Sequence, residues 1–295
     1  EFHEDYRARK AGGIRHASHD SVLETEDFED TYIGRRSAAW IANIPDDYPW
    51  HLLVSFVGPH NPYDPPTEYA DRYRDASMPA AVPRCPDNKP NRYERRNKHL
   101  EADEVAITRR QYCGAIELID HQVGLILEAL EKRGMIDNTC IIFASDHGDM
   151  LGDHGMCTKG LPYEPSIGVP LIIAGPGLPE NRTSEALVEL IDVNPTICEL
   201  AGLPAQEDID AISIGPHLRG ETDGHRESTL CVSGGFQCLR IDRYKLVKNV
   251  NDVVELYDLL EDPQERHNIA ESRIDVRDDL QGRLYERMLE NGWFH

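Results

Sequence analysis

A short apolar run, Ile141–Ala144 in "NTCIIFASDHGDMLGDHG", stops abruptly at Asp146-His147-Gly148. Four consecutive apolar residues bounded by polar ones read as a strand buried on both faces. Such strands belong to sheets covered by helices. Two further runs share this form, Leu52–Val57 in "WHLLVSFVGPH" and "GVPLIIAG". Between the first two strands, residues 104–133 place Val105, Tyr112, Ile116, Ile119, Val123, Ile126, Leu127 and Leu130 mostly three and four apart, with Gly134 as a stop. That spacing predicts a long amphipathic helix. "DTYIGRRSAAWIANI" and "LVELIDVNPTICELAGL" add two more helices. Strands alternating with helices predict an α/β fold with a mixed, mostly parallel sheet flanked by helices.

The pattern changes near residue 220. "STLCVSGGFQCLRIDRYKLVKNV" and "VVELYDL" are short strand-like pieces joined by turns, and "RDDLQGRLYERMLENGWF" is amphipathic. The expected division is therefore residues 1–219 as an α/β domain and 220–295 as a small antiparallel α+β subdomain. Residues 71–103, with four scattered prolines, support no regular element.

With 31 Lys+Arg against 53 Asp+Glu, the net charge of −22 repels polyanions and argues against nucleic acid as a partner. No apolar run is long enough to cross a membrane. The seven cysteines form no CxxC or zinc-like spacing. Cys140, Cys198 and Cys231 sit in apolar runs and read as small buried hydrophobes, which weakly favours a reducing compartment. The chain opens on Glu1, and its polar first residues read as the middle of a longer protein; the natural compartment, bacterial cytoplasm or periplasm, is not legible.

In an α/β sheet, ligands gather at the carboxyl ends of strands. Asp146 and His147 stand at such an end, with Gly148 expected to permit the tight turn. A carboxylate and an imidazole suit a divalent metal; a strand-end Asp capping a turn beside a surface His reads equally well. Lys159, thirteen residues on in a glycine-rich loop, is able to fold back over the same strand end and offset the charge of an anion. A solvated surface lysine is the plainer alternative. His60 follows Leu52–Val57 in the stiff loop "GPHNPYDPP", where it could hold an anion, donate a proton to a leaving group, or serve the loop alone.

Taken together and in order, "SFVGPHNPYDPP", "IIFASDHGDMLGDHG", "TKGLPYEPSIGVPLIIAGPG" and "ELYDLLEDPQERHNIA" closely resemble the sulfatase family of the alkaline phosphatase superfamily, over about residues 50 to 275. The resemblance implies that Asp146 and His147 are metal ligands and that Lys159 and His60 contact the sulfate and the leaving-group oxygen. It implies calcium as the metal, with manganese or magnesium as alternatives for an Asp-His pair. The expected reaction is hydrolysis of a small-molecule or carbohydrate sulfate ester; a phosphonate monoester or phosphodiester hydrolase with the same machinery is the alternative. Asp153 and His154, in "LGDHG", read as loop-structuring.

The chain also departs from that family. The family's formylglycine nucleophile arises from a C/S-x-P-x-R motif, and none is present; "CPDNKP" at Cys85 has its proline in the wrong place and no arginine. Gly168 stands where relatives usually carry arginine. The expectation is that the formylglycine lies in an N-terminal segment of the full-length protein missing from this sequence, so the chain alone is inactive. A non-catalytic truncated fold is the reading of another class. Exposed sheet surface would then favour a homo-oligomer or cover by a neighbouring chain.

Overall fold

The computed structural model describes residues 4, 18–84, 89–90, 101–290 and 292. The chain forms two compact units, Glu1–Ala81 with Leu100–Thr139, and Val82–His99 with Cys140–His295. The expected boundary at 219/220 falls within the second unit.

The first unit is built on helices α1 (Glu29–Asn43), α2 (Thr67–Tyr73) and α3 (Ala102–Lys132). The predicted long helix thus forms over its full expected length. Its start is set by a reciprocal cap in which the Glu101 N–H donates to the Glu104 carboxylate at 2.8 Å. Helices α1 and α3 pack closely at Gly34, where an added Cβ would meet Gln122 Oε1 at 2.7 Å. Phe28, Tyr69 and Leu118 form a small core between the helices. At the far end, Arg133 donates to the carbonyls of Ala42 and Ile44, both at 3.0 Å. A cation there complements the negative end of α1.

Residues 52–57 belong to no strand among the described residues, so the predicted strand does not form. A strand is a property of two chains, and an apolar run without a ladder partner does not make one. Leu53 is 81% exposed, and the Asp30 carboxylate satisfies the N–H groups of Val57 and Gly58.

The second unit contains β1 (Ile141–Ala144), the single turn α4 (Glu164–Ile167), β2 (Leu171–Ala174), α5 (Val193–Leu200), the turn α6 (Gly215–Leu218), strands β3 (Thr229–Ser233), β4 (Phe236–Arg240), β5 (Tyr244–Asn249) and β6 (Val254–Asp258), and α7 (Ile274–Glu290). Strands β1 and β2 pair antiparallel, Ile141 opposite Ala174 and Ala144 opposite Leu171. The expectation of a mixed, mostly parallel sheet assigned no direction to this pair: a sequence pattern reports burial, while strand direction follows from how the intervening chain returns. Strands β3 to β6 form an antiparallel meander, as expected of the C-terminal region.

Register sorts the meander into two faces. Leu239, Leu246 and Leu256 lie opposite one another and pack with Ala270, Leu280, Leu284 and Met288, so α7 covers this face. The other face carries Arg240, Lys245 and Tyr257 in one cross-strand row and Cys238, Val247 and Glu255 in the next. Met150, Met156, Leu161 and Tyr163 pack there against Tyr257. Among the cysteines read as buried, Cys140 is exposed, and Cys198 and Cys231 are half-buried. Cys140 stands open just before β1, which has one ladder partner among the described residues, whereas Cys231 packs against Phe236, Cys238 and Val247. Cys85 lies outside the described residues.

Candidate functional site

Strand β1 ends at Ala144, and the next four residues form a hydrogen-bonded hook. Ser145 Oγ donates to the His147 carbonyl at 2.8 Å, and the His147 N–H donates to Asp146 Oδ1 at 2.9 Å. The His147 ring stands with Nδ1 2.9 Å from the Gly148 carbonyl. A carbonyl can only accept, so Nδ1 carries the proton and the neutral ring keeps its lone pair on Nε2. Nε2 lies 3.5 Å from Asp146 Oδ2. One imidazole nitrogen and one carboxylate oxygen thus converge at the end of a strand, a donor pair that suits a divalent cation. Among the described residues no group of three or more His, Cys, Asp or Glu completes a metal site. The pair by itself offers two donor atoms, fewer than a divalent cation's full set.

Gly148 serves a purpose other than the tight turn expected of it. Its N–H donates to the Ser166 carbonyl at 2.9 Å, and an added Cβ would run into the Pro165 carbonyl oxygen. The glycine is there so that α4 can lie directly on the hook.

Lys159 lies in a loop folded back on the same segment. The Asp149 carboxylate accepts the N–H groups of Leu151 at 3.0 Å and Thr158 at 2.9 Å, and the Met150 N–H donates to the Thr158 carbonyl at 3.0 Å. Lys159 follows directly. Asp153 and His154 clamp Val82: Asp153 Oδ1 accepts its N–H at 2.7 Å, and the His154 N–H donates to its carbonyl at 2.8 Å. The His154 ring stacks on Tyr163 with centroids 4.6 Å apart. Burial, together with the positive charges of Lys89, Lys245 and Arg266, pushes its pKa down to about 3, so it is neutral at ordinary pH.

His60 belongs to the first unit, whereas Asp146, His147 and Lys159 belong to the second. It is exposed, between the cis peptides Gly58-Pro59 and Asn61-Pro62, with Nδ1 2.7 Å from the Asn61 carbonyl. The same carbonyl argument places a proton on Nδ1. Its loop is held from below by Asp30, which is 1% exposed and accepts from Val57 at 2.7 Å and Gly58 at 3.0 Å. Nothing in the sequence around Asp30 signals this role; it sits in a helix start, where acidic residues are common.

Comparison with known proteins decides the family. The sulfatase family model matches residues 12–203 of the 295. The chain belongs to the sulfatase family. Residues 152–291 match a second description, N-sulphoglucosamine sulphohydrolase, C-terminal. Among curated sulfatases, an arylsulfatase of Clostridium perfringens is 30% identical over 79% of the chain and 53% of its own length. A choline-sulfatase of Rhizobium meliloti is 32% identical over 76% of the chain and 47% of its own length. A Δ4,5-hexuronate-2-O-sulfatase of Bacteroides thetaiotaomicron is 29% identical over 86% of the chain and 58% of its own length. The chain therefore spans about half the length of these relatives. In fold it matches a phosphonate monoester hydrolase of Agrobacterium radiobacter with a TM-score of 0.82, at 24% identity over 98% of this chain and 68% of that one. It also matches a protein solved with its substrate D-glucosamine-2-N,6-O-disulfate, with a TM-score of 0.79 at 20% identity over 90% of this chain and 70% of that one. The sulfatase fold, a mixed α/β arrangement with a C-terminal antiparallel sheet, is thus the fold of this chain.

Proposed function

We propose that the protein containing this sequence is a metal-dependent sulfuric ester hydrolase. The observation that carries the reading is the convergence of Asp146 Oδ2 and His147 Nε2, 3.5 Å apart at the strand end, in a chain that matches the sulfatase family. On this reading Asp146 and His147 supply two ligands to a divalent cation. Calcium is the family's usual ion, with magnesium as an alternative, and the imidazole nitrogen shifts the balance toward manganese. The ion, when bound, withdraws charge from the sulfuryl oxygens.

The chain's own side chains then have separable tasks. The Gly148 carbonyl holds His147 in the tautomer whose Nε2 is a lone-pair donor. Lys159 offsets anionic charge on the sulfuryl group. His60, protonated, gives its proton to the departing alcohol oxygen, so that the leaving group goes as a neutral alcohol. No residue of this sequence stands in a C/S-x-P-x-R motif. The attacking group belongs, on this reading, to a part of the protein outside the sequence, and the chain by itself binds rather than turns over. The substrate class is a small-molecule or carbohydrate sulfate ester, the class named by the hexuronate and N-acetylglucosamine sulfatases among its relatives.

The test uses the protein as its gene encodes it. Its rates on 4-nitrophenyl sulfate and on a phenyl phosphonate monoester are compared, and its intact mass is read for a formylglycine. Preferential cleavage of the sulfate supports the proposal. Preferential cleavage of the phosphonate replaces it with the related hydrolase, and absence of both leaves a non-catalytic member of the family.

A further inference from the structure

The single turn α4 is tied down far more heavily than one turn of helix requires. Glu164, at its first position, is held at three points, two from the meander and one from Glu265 in the segment after β6. Its N–H donates to Glu265 Oε2 at 2.7 Å. Its Oε1 accepts from Lys245 Nζ at 3.0 Å, and its Oε2 from Arg240 Nη1 at 2.8 Å. Lys245 in turn pairs with Glu265 Oε1 at 2.5 Å. Lys245 and Glu265 are both buried, at 0% and 1% exposure. Next to Glu164, Tyr163 donates to Glu255 Oε2 at 2.8 Å, and Tyr257 donates to the same oxygen. Lys89 Nζ closes the network on the Tyr257 hydroxyl at 2.5 Å and the Glu265 carbonyl at 2.8 Å.

A buried set of charges is weak as a source of stability, since apolar residues of equal volume would serve as well. What it does provide is a fixed location. The other side of α4 carries the Ser166 carbonyl that accepts the Gly148 N–H, and the Pro165 carbonyl against which Gly148 is pressed. Gly148 is the residue after His147, and Lys159 lies five residues before Glu164. Through α4, the charged face of the meander and the Asp146–His147 hook share one rigid connection.

We propose that Glu265, Lys245 and Arg240 are positioning residues: acting through Glu164, they set where the Asp146–His147 hook and the Lys159 loop stand. The inference rests on the site assignment proposed above. It also gives a physical purpose to "ELYDLLEDPQERHNIA", which supplies Glu255, Tyr257 and Glu265.

The test compares Glu265→Gln with Arg240→Gln, the second removing an arm that is partly solvent-exposed and less needed for folding. Amide hydrogen exchange is followed at Gly148, with Leu239 and Leu246 in the meander as internal controls. The protein as its gene encodes it is assayed in parallel on 4-nitrophenyl sulfate, well below its melting temperature. The expected result is exchange at Gly148 about tenfold faster or more with the controls unchanged, and a fall in kcat/KM of about tenfold or more. Unchanged exchange at Gly148, acceleration of all amides together, or an unaltered kcat/KM would each overturn the proposal. If Glu265→Gln does not fold, Arg240→Gln decides by the same readings. The site assignment fails separately, when Lys159→Ala and His147→Ala leave hydrolysis intact; the exchange measurement needs no substrate and still decides the coupling.

Discussion

The Asp30 carboxylate fills the space beside Gly58, accepting its N–H at 3.0 Å with an oxygen that a Cβ added at Gly58 would run into. A helix start and the loop bearing His60 are thereby locked together by one buried side chain. Gly58→Ala is expected to lower unfolding stability by about 1–3 kcal/mol through overpacking against Asp30 and Ile119. Asp30→Ala removes the acceptor from the Val57 and Gly58 N–H groups and is expected to lower it by about 1–3 kcal/mol for each group left without water. Urea titrations of the two variants provide the check; wild-type midpoints for both would show that the loop does not depend on Asp30.

His154 makes stability depend on pH in a predictable direction. Its pKa is about 3 in the folded protein against an ordinary value near 6.5. Between those values the unfolded chain binds the proton and the folded chain does not. Stability from this residue is thus fully present above pH about 6.5 and is lost as the pH falls toward 3, by up to about 1.4 kcal/mol per pH unit. Depressed carboxylates add to the same acid sensitivity, so the informative quantity is a difference. His154→Asn, which tolerates the positive φ of 54°, should flatten the pH slope by one proton relative to wild type, as read from unfolding at a series of pH values.

Asp192 is the centre of a second buried charge cluster. It is 0% exposed and accepts from Arg226 Nε at 2.7 Å, His225 Nε2 at 3.0 Å, the Ile212 N–H at 2.9 Å and the Glu189 N–H at 3.0 Å. Asp192→Ala strips the buried Arg226 cation of its nearest carboxylate, leaving Glu189 at 3.7 Å, and should destabilise by about 3–5 kcal/mol. Replacing both residues together is expected to do much less than the sum of the two single changes, because the penalty lies in a buried charge deprived of its nearest counter-charge. A double-mutant cycle measured by thermal or urea unfolding tests this; additivity would refute it.

At the candidate site, two substitutions should separate anion binding from metal binding. In the protein as its gene encodes it, Lys159→Ala is expected to lower kcat/KM on an aryl sulfate by about 10²–10³-fold, with added metal giving no rescue. His147→Ala should lower it as well, but with activity partly recovered as divalent metal is raised, because a ligand rather than a charge has been removed. Chelation followed by readdition of calcium, manganese or magnesium identifies the ion. Equal metal response in the two variants would mean that His147 is no ligand.

Much of this was legible along the chain. Helix α3 announces itself because one face must be apolar at helical spacing, and both ends carry their own signals in Glu104 and Gly134. The meander shows in its short alternating runs, and the Asp146–His147 pair in its place at the end of an apolar strand. These are local patterns, and local backbone geometry is enough to produce them. Contacts between distant segments are another matter. The apolar character of residues 52–57 could not reveal that they lack a ladder partner, and that of β1 and β2 could not reveal their antiparallel pairing. Lys245 reads in sequence as an ordinary outward-facing strand residue. Its burial beneath Glu164 and Glu265, which together hold its charge against the cost of desolvation, exists only because segments 81 and 20 residues away fold over it. Periodicity encodes which face of an element avoids water; which charges meet on that face is decided by the path of the whole chain, since Coulomb attraction and hydrogen bonds act through space and are indifferent to sequence separation.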